Sequence, residues 1–164
     1  MTSPVHRLIQ AGRLDRFFID GEWVAPEGAD RIAVISPSTE DALCEIALGN
    51  KSDAERAILA ARRAFAGWST TSPQERATLL DRVHALMLER AELFAAALAT
   101  EMGAPITYAR AAHVPLAAEH IRVARDNLTS YAFRTQRGTT AIVREPIGVC
   151  ALITPWNWPI YQIT

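Results

Sequence analysis

An α/β fold is predicted on three observations. The first quarter alternates short β-prone runs with turn residues. The middle carries three helical patterns with clear start and stop signals. The last third returns to β-branched alternation and closes on a continuous apolar run followed by a proline-pinned turn.

Each element has its own local cause. Phe17-Phe18-Ile19 and Glu22-Trp23-Val24 flank Asp20-Gly21, a pair suited to a type I′ turn, in which both central residues need positive φ. Pro26-Glu27-Gly28 ends that hairpin, and Arg31–Ile35 and Ala42–Ala47 are two further strands split by Ser36-Pro37-Ser38-Thr39. Ser52 with Glu55 three residues on reads as a capping box, and Ala54, Ile58, Ala61, Phe65 and Trp68 follow at helical spacing. Ser72-Pro73-Gln74-Glu75 is a second start, with Ser72 as cap and Pro73 at the first helical position. Leu79, Leu80, Val83, Met87, Ala91, Phe94, Ala95 and Leu98 carry that periodicity to Gly103 and Pro105, which stop it. A third helix is expected from about Ile106 to Tyr131, with a break or kink at Pro115. Thr139–Arg144 reads as a strand, and Gly148–Ile153 reads as a strand buried on both faces, the habit of parallel sheets. Such a strand needs neighbours and crossover helices. None follow before Thr164, so the chain is expected to be the first part of a longer fold.

Composition narrows the function. With 164 residues, 49% of them hydrophobic, the chain can build one ordinary core. Its 17 basic and 18 acidic residues leave no electrostatic footprint for nucleic acid. Lys51 is the only lysine, so Schiff-base or P-loop chemistry would rest on that side chain. Two cysteines, Cys44 and Cys150, are too few for a disulfide framework. Met1–Leu14 lacks the apolar core of a secretory signal, and the longest apolar run, Leu93–Ala99, is too short to cross a bilayer. A soluble cytoplasmic protein with no membrane or nucleic-acid partner is the expectation.

Few residues offer chemistry. His113 and His120 stand seven apart without a thiol or a His-Glu-x-x-His pattern, which favours packing or surface roles over metal binding. The scattered glycines form neither dinucleotide fingerprint nor P-loop. Cys44 and Cys150 have no histidine or basic cluster beside them and read as small hydrophobes. Glu101, at the end of a long helix, reads first as a helix-end residue. Thr154-Pro155-Trp156-Asn157-Trp158-Pro159 stands apart, because it follows the apolar run directly. Ligands bind at the carboxyl ends of strands in open α/β sheets, and an asparagine pinned there offers a neutral NH₂ donor for an oxyanion. A rigid turn carrying a core tryptophan explains the same residues equally well.

The run from Glu145-Pro146-Ile147-Gly148-Val149 through Ile153-Thr154-Pro155-Trp156-Asn157-Trp158-Pro159 resembles a signature of the aldehyde dehydrogenase superfamily. Five other segments resemble the same family in the same order. They are Phe18–Trp23, Ser36–Thr39, Ala60–Phe65 with Trp68, Pro73–Leu80, and Glu101–Pro105, where Gly103-Ala104-Pro105 replaces the usual Gly-Lys-Pro. The resemblance implies the amino-terminal part of an aldehyde dehydrogenase-like fold: β-hairpins, long helices, an oligomerisation strand segment and the start of a Rossmann-like parallel sheet. The expected layout is an amino-terminal tail over 1–16, the first part of the cofactor-binding domain over 17–131, the oligomerisation segment over 132–146, and the first sheet strand over 147–164.

The implied reaction is NAD⁺- or NADP⁺-dependent oxidation of an aldehyde to a carboxylic acid through a cysteine thiohemiacetal and thioester. By resemblance Asn157 is the catalytic oxyanion donor. Ile153, Thr154, Pro155 and Trp156 lie along the nicotinamide-ribose side of the cofactor, and Ile35 and Glu101 fall near a monovalent-cation site of some members. No metal ligand is assigned. The family's nucleophilic cysteine and general-base glutamate fall beyond position 164, so this stretch alone is expected to be inactive, and the full-length protein is expected to be a homodimer or tetramer. The competing reading is a non-catalytic helical interaction module, or a relic, with Leu79–Leu98 and the Thr139–Arg144 edge as docking surfaces.

Overall fold

The computed structural model describes residues 5, 6, 9 and 11–164. The expected tail over 1–16 falls partly on residues 1–4, 7, 8 and 10, which lie outside the described residues.

Strands β1 (Phe17–Ile19) and β2 (Glu22–Val24) pair as an antiparallel hairpin. Asp20 at φ 57° and Gly21 at φ 83° supply the two positive-φ positions that the turn demands. Strands β3 (Arg31–Ile35) and β4 (Ala42–Ala47) form a second antiparallel pair, with a register shift between Val34 and Ile35. The buried Ser36 builds their connection, its Oγ accepting from the Ser38 and Thr39 N–H groups at 3.3 Å each. An isolated hairpin is marginal in water. The first one is held down by α1 (Lys51–Trp68), with Arg63 paired to Asp20 at 2.8 Å and the Phe17 ring about 3.4 Å from where a Gly49 Cβ would sit.

The cap of α1 is not the one expected. Asn50 and Asp53 make the capping box: the Asp53 N–H donates to Asn50 Oδ1 at 3.0 Å, and the Asn50 N–H donates to Asp53 Oδ2 at 3.2 Å. Ser52, two residues further on, instead donates its hydroxyl to Glu27 Oε2 at 2.6 Å. Asp53 wins because it serves two segments at once, its Oδ1 also accepting the Glu27 N–H at 2.9 Å. Those backbone donors, led by Glu27, hold the Asp53 carboxyl below its ordinary range despite its burial. The apolar stripe on α1 is likewise not its buried face. Asp53 and Ala60 are buried, while Ile58 and Trp68 stay about half exposed, and Ile58 looks across a cleft at Gly148, Val149 and Ala151.

Helix α2 (Pro73–Glu89) starts as predicted, with Ser72 capping and Glu75 reciprocating. The periodicity expected to run unbroken to Leu98 bends at Arg90 (φ −104°, ψ 17°), where α3 (Ala91–Ala97) begins. A π-helical turn, Leu98–Met102, then closes on Gly103 in the left-handed conformation at φ 78°. The third helical stretch breaks as foreseen. It comprises the short α4 (Ile106–Tyr108), a second π-helical turn at Ala109–His113, and α5 (Val114–Ser130). Pro115 has no N–H to donate back along the helix and its ring crowds the carbonyl four residues earlier, so the preceding turn widens.

Beyond α5, β5 (Arg134–Arg137) and β6 (Thr140–Val143) pair antiparallel around Gly138 at φ 59°. Only β6 was marked by the sequence, because β5 is Arg-Thr-Gln-Arg, without apolar alternation.

The Gly148–Ile153 strand is a correction. These residues form no strand, and Cys150, expected inside a buried run, is exposed. Ile147 is 92% exposed and Ile153 95%. A strand exists only by sharing a ladder with a neighbour. Among the described residues the three sheets are separate antiparallel pairs, and none includes this segment. The apolar pattern is present and its partner strands are not. The chain ends in a short helix, α6 (Pro159–Ile163).

The core lies among α2, α3, α5 and the π turns. Ala95, Leu98, Ala104, Ala109 and Val114 form one cluster, and Met87, Ala117, Ala118 and Ile121 another. Phe94 and Ile160 pack against both, so the second ties α6 to the core. Most of these side chains are small, which lets helix backbones approach closely.

Candidate functional site

The residues singled out in the sequence lie on one short stretch, and the structure gives its two halves opposite characters. Ile153, Thr154, Pro155, Trp156 and Asn157 are all exposed, on irregular extended chain. Trp158 is half-buried at φ −140°, ψ 55°, and Pro159 opens α6, its missing N–H one that a first helical turn leaves unpaired anyway. Asn157 is the last residue of the free half and stands directly against the anchored one.

The anchor is a cluster of rings. The His113 imidazole stacks on the Trp158 indole, with centroids 4.0 Å apart and planes 25° apart. Tyr108 meets His113 edge-on at 5.3 Å and Trp158 at 6.0 Å. One helical turn along α6, Tyr161 lies 4.1 Å from the His120 ring and 5.7 Å from Trp158. Such ring pairs are worth about 0.5–1.5 kcal/mol each beyond their buried area. Both histidines read from the sequence as packing residues are thus used in packing, and neither meets a metal-like set. Among the described residues, no group of three or more His, Cys, Asp or Glu side chains could hold a metal ion.

His113 is 3% exposed, and its Nδ1 is buried with no hydrogen-bond partner. Burial pushes its pKa down, so the imidazole stays neutral near pH 7. An orphaned buried nitrogen is costly. The ring is therefore held in place by its face, through the stack, rather than by a hydrogen bond at its edge. Sequence reasoning missed this partnership, because residues 113 and 158 are remote in the chain and no spacing rule joins them.

The remaining candidates play supporting roles. Burial, and secondarily the nearby Glu101 charge, raise the Cys44 thiol above its ordinary pKa, which disfavours a thiolate nucleophile. The Cys150 thiol is exposed and contacts the Gly148 carbonyl at 3.9 Å. Glu101 itself is exposed, within the first π turn. Two of the recognised segments prove to touch. A Cβ on Gly103 would lie 2.7 Å from Pro37 Cγ, so the Glu101–Pro105 stop packs directly on the Ser36–Thr39 turn.

A chain with these hairpins, this helical layer and this proline-pinned tryptophan–asparagine turn has a clear class. The profile of the aldehyde dehydrogenase family matches residues 23–164, and the chain belongs to that family. Among curated relatives it is 45% identical over 148 residues to a 3-succinoylsemialdehyde-pyridine dehydrogenase from a Pseudomonas species, covering 90% of this chain and 31% of that protein. It is 39% identical over 145 residues to a putative aldehyde dehydrogenase of Staphylococcus aureus, covering 88% of this chain and 30% of that protein. Among solved structures it matches aldehyde dehydrogenase C of Pseudomonas syringae, a mutant in complex with NAD⁺ and octanal. That match has 58% identity and a TM-score of 0.91, covering 92% of this chain and 31% of that one. An aldehyde dehydrogenase of Mycobacterium tuberculosis complexed with NAD⁺ matches at 29% identity and TM-score 0.84, covering 90% and 32%. The fold is thus that of the amino-terminal portion of an aldehyde dehydrogenase, and the chain spans about 30% of the length of these relatives.

Proposed function

We propose that this chain forms the amino-terminal part of an NAD(P)⁺-dependent aldehyde dehydrogenase in which Asn157 holds the oxyanion during attack on the aldehyde. The carrying observation is the placement of Asn157 between an exposed extended run and a helix fixed to the core by Trp158 and Ile160. A donor helps an oxyanion only if it is already aimed when charge develops, and a proline-stiffened turn docked on a core provides that aim. The Asn157 NH₂ donates to the carbonyl oxygen as it gains negative charge, with no proton transferred to or from the asparagine itself. The thiolate that attacks and the glutamate that activates water belong to a catalytic centre completed by chain beyond Thr164.

The residues fit a nicotinamide cofactor. Ile153 and Trp156 present apolar side chains 95% and 82% exposed, on backbone with no ladder partner, and the Thr154 hydroxyl lies between them. Ile153, Thr154, Pro155 and Trp156 would hold the nicotinamide-ribose part, and the bound cofactor supplies a hydride acceptor. NAD⁺ is favoured by its presence in several related structures. An aliphatic aldehyde is the first substrate to assay, given the octanal in the P. syringae structure.

The working protein is a cytoplasmic homo-oligomer assembled through the β5–β6 hairpin. The competing helical docking module draws on the exposed Leu79, Val83 and Leu88 of α2, yet it leaves the Trp156–Asn157–Trp158 turn without a purpose.

Asn157→Ala in the full-length protein is the test. Loss of one oxyanion donor is expected to lower kcat by about 10²–10³ with KM changed little. A variant with the wild-type kcat would overturn the reading.

A further inference from the structure

We propose that His113 is a positioning residue for Asn157: stacked on the Trp158 indole, it clamps the backbone one residue beyond Asn157 and so sets the direction of the Asn157 amide. This inference rests on the oxyanion role assigned to Asn157 above.

Three observations combine. First, the chain on the amino-terminal side of Asn157 has no anchor of its own, with residues 144–155 outside any helix or strand and Trp156 82% exposed. The direction of the amide must therefore be set from the carboxyl-terminal side. Second, the nearest fixed point on that side is Trp158, and the most parallel and closest ring against it is His113, at 4.0 Å and 25°. Tyr108 also touches Trp158, but edge-on at 6.0 Å and from a side chain 49% exposed. Third, His113 is the last residue of the π-helical turn at Ala109–His113, directly before α5. The turn widened ahead of Pro115 brings a ring from the core onto the catalytic loop, and π turns recur at functional sites.

The Nδ1 orphaned by this arrangement is not compensated by any contact among the described residues. Packing alone would be better served by an apolar side chain at this position. The retained feature is a flat aromatic face, which fixes the tilt of the indole as well as its distance.

The experiment is a double-mutant cycle in the full-length protein, assayed with octanal and NAD⁺, with Tm measured for every variant. His113→Ala is expected to lower kcat by about tenfold with KM within about twofold, since small misplacements of a reacting group are costly. In an Asn157→Ala background the same change is expected to cost less than about twofold, because the group it positions is gone. His113→Phe, which keeps a flat ring, restores kcat to within about threefold of wild type. If His113→Ala does not fold, His113→Leu, which fills the space without stacking, takes its place in the cycle.

A His113 variant that lowers Tm while leaving kcat unchanged would make the residue merely structural and overturn the proposal. So would an equal loss of kcat in both backgrounds. Wild-type kcat in Asn157→Ala alone would instead overturn the oxyanion reading and this inference with it. A large Asn157→Ala loss beside a silent His113→Ala would overturn this inference alone.

Discussion

Gly103 shows how much a single position can carry. It adopts φ 78°, a region that costs an L-residue about 1–2 kcal/mol. It also lies so close to the β3–β4 turn that a Cβ would sit 2.7 Å from Pro37 Cγ and 3.2 Å from Pro37 Cβ. Gly21 shares the backbone demand at φ 83° but faces open space. The two glycines therefore separate two physical costs. Gly21→Ala is expected to cost about 1–2 kcal/mol from the backbone alone. Gly103→Ala is expected to cost a further 1–3 kcal/mol or so, because the proline ring is stiff and the helix end must move away from it. Chemical denaturation of both variants in the full-length protein checks this, and equal costs would show that the Pro37 contact yields freely. The pairing also explains why Ser36–Thr39 and Glu101–Pro105 carry family resemblance together: they are two halves of one contact.

At the scale of elements, start signals proved sounder than faces. Ser72 and Glu75 make the reciprocal cap that their spacing announces. The Asp20-Gly21 turn and the break at Pro115 are equally local effects, and they were legible for that reason. Two acid-after-polar pairs overlap at the start of α1, however, and spacing alone cannot rank Asn50–Asp53 against Ser52–Glu55. The deciding bond comes from Glu27, 26 residues away in sequence. The assignment has a direct consequence. Asn50→Ala removes a true cap and is expected to cost about 1 kcal/mol, whereas Ser52→Ala loses only an exposed bond to Glu27 and stays within about 0.5 kcal/mol of wild type. The reverse order in thermal unfolding would restore Ser52 as the cap. Faces were harder to read because they depend on what lies opposite. The Ile58 stripe and the Gly148–Ile153 run have the right composition for burial, yet the segments that would bury them are not in these 164 residues. The site divides in the same way. Asn157 and the Ile153–Trp156 segment stood out as a local motif, while the His113–Trp158 stack needed the fold.

At the scale of the whole molecule the surface is too large. A compact monomer of 18.0 kDa is expected to expose about 8,000 Å², whereas this chain exposes 11,560 Å². The excess, about 3,500 Å², falls in the range that obligate interfaces bury, roughly 2,000–5,000 Å². Much of it is apolar, with Ile147, Leu152, Ile153 and Trp156 each more than three-quarters exposed, and no large side chain among the described residues is fully buried. The interior that does exist, alanine-rich and spread over two clusters, is thin for a chain of this length. Expressed alone, residues 1–164 are therefore expected to keep helical far-ultraviolet circular dichroism and to bind a hydrophobic dye. They should unfold over a broad, weakly cooperative transition, because secondary structure here is local while tertiary cover is missing. A self-sufficient interaction module would do the opposite, unfolding sharply and leaving the dye dark. A sharp transition at low micromolar concentration, with a monomeric hydrodynamic radius and no dye binding, would revive the docking-module reading. A broad one assigns the exposed run beside Asn157 to contacts that the rest of an aldehyde dehydrogenase supplies.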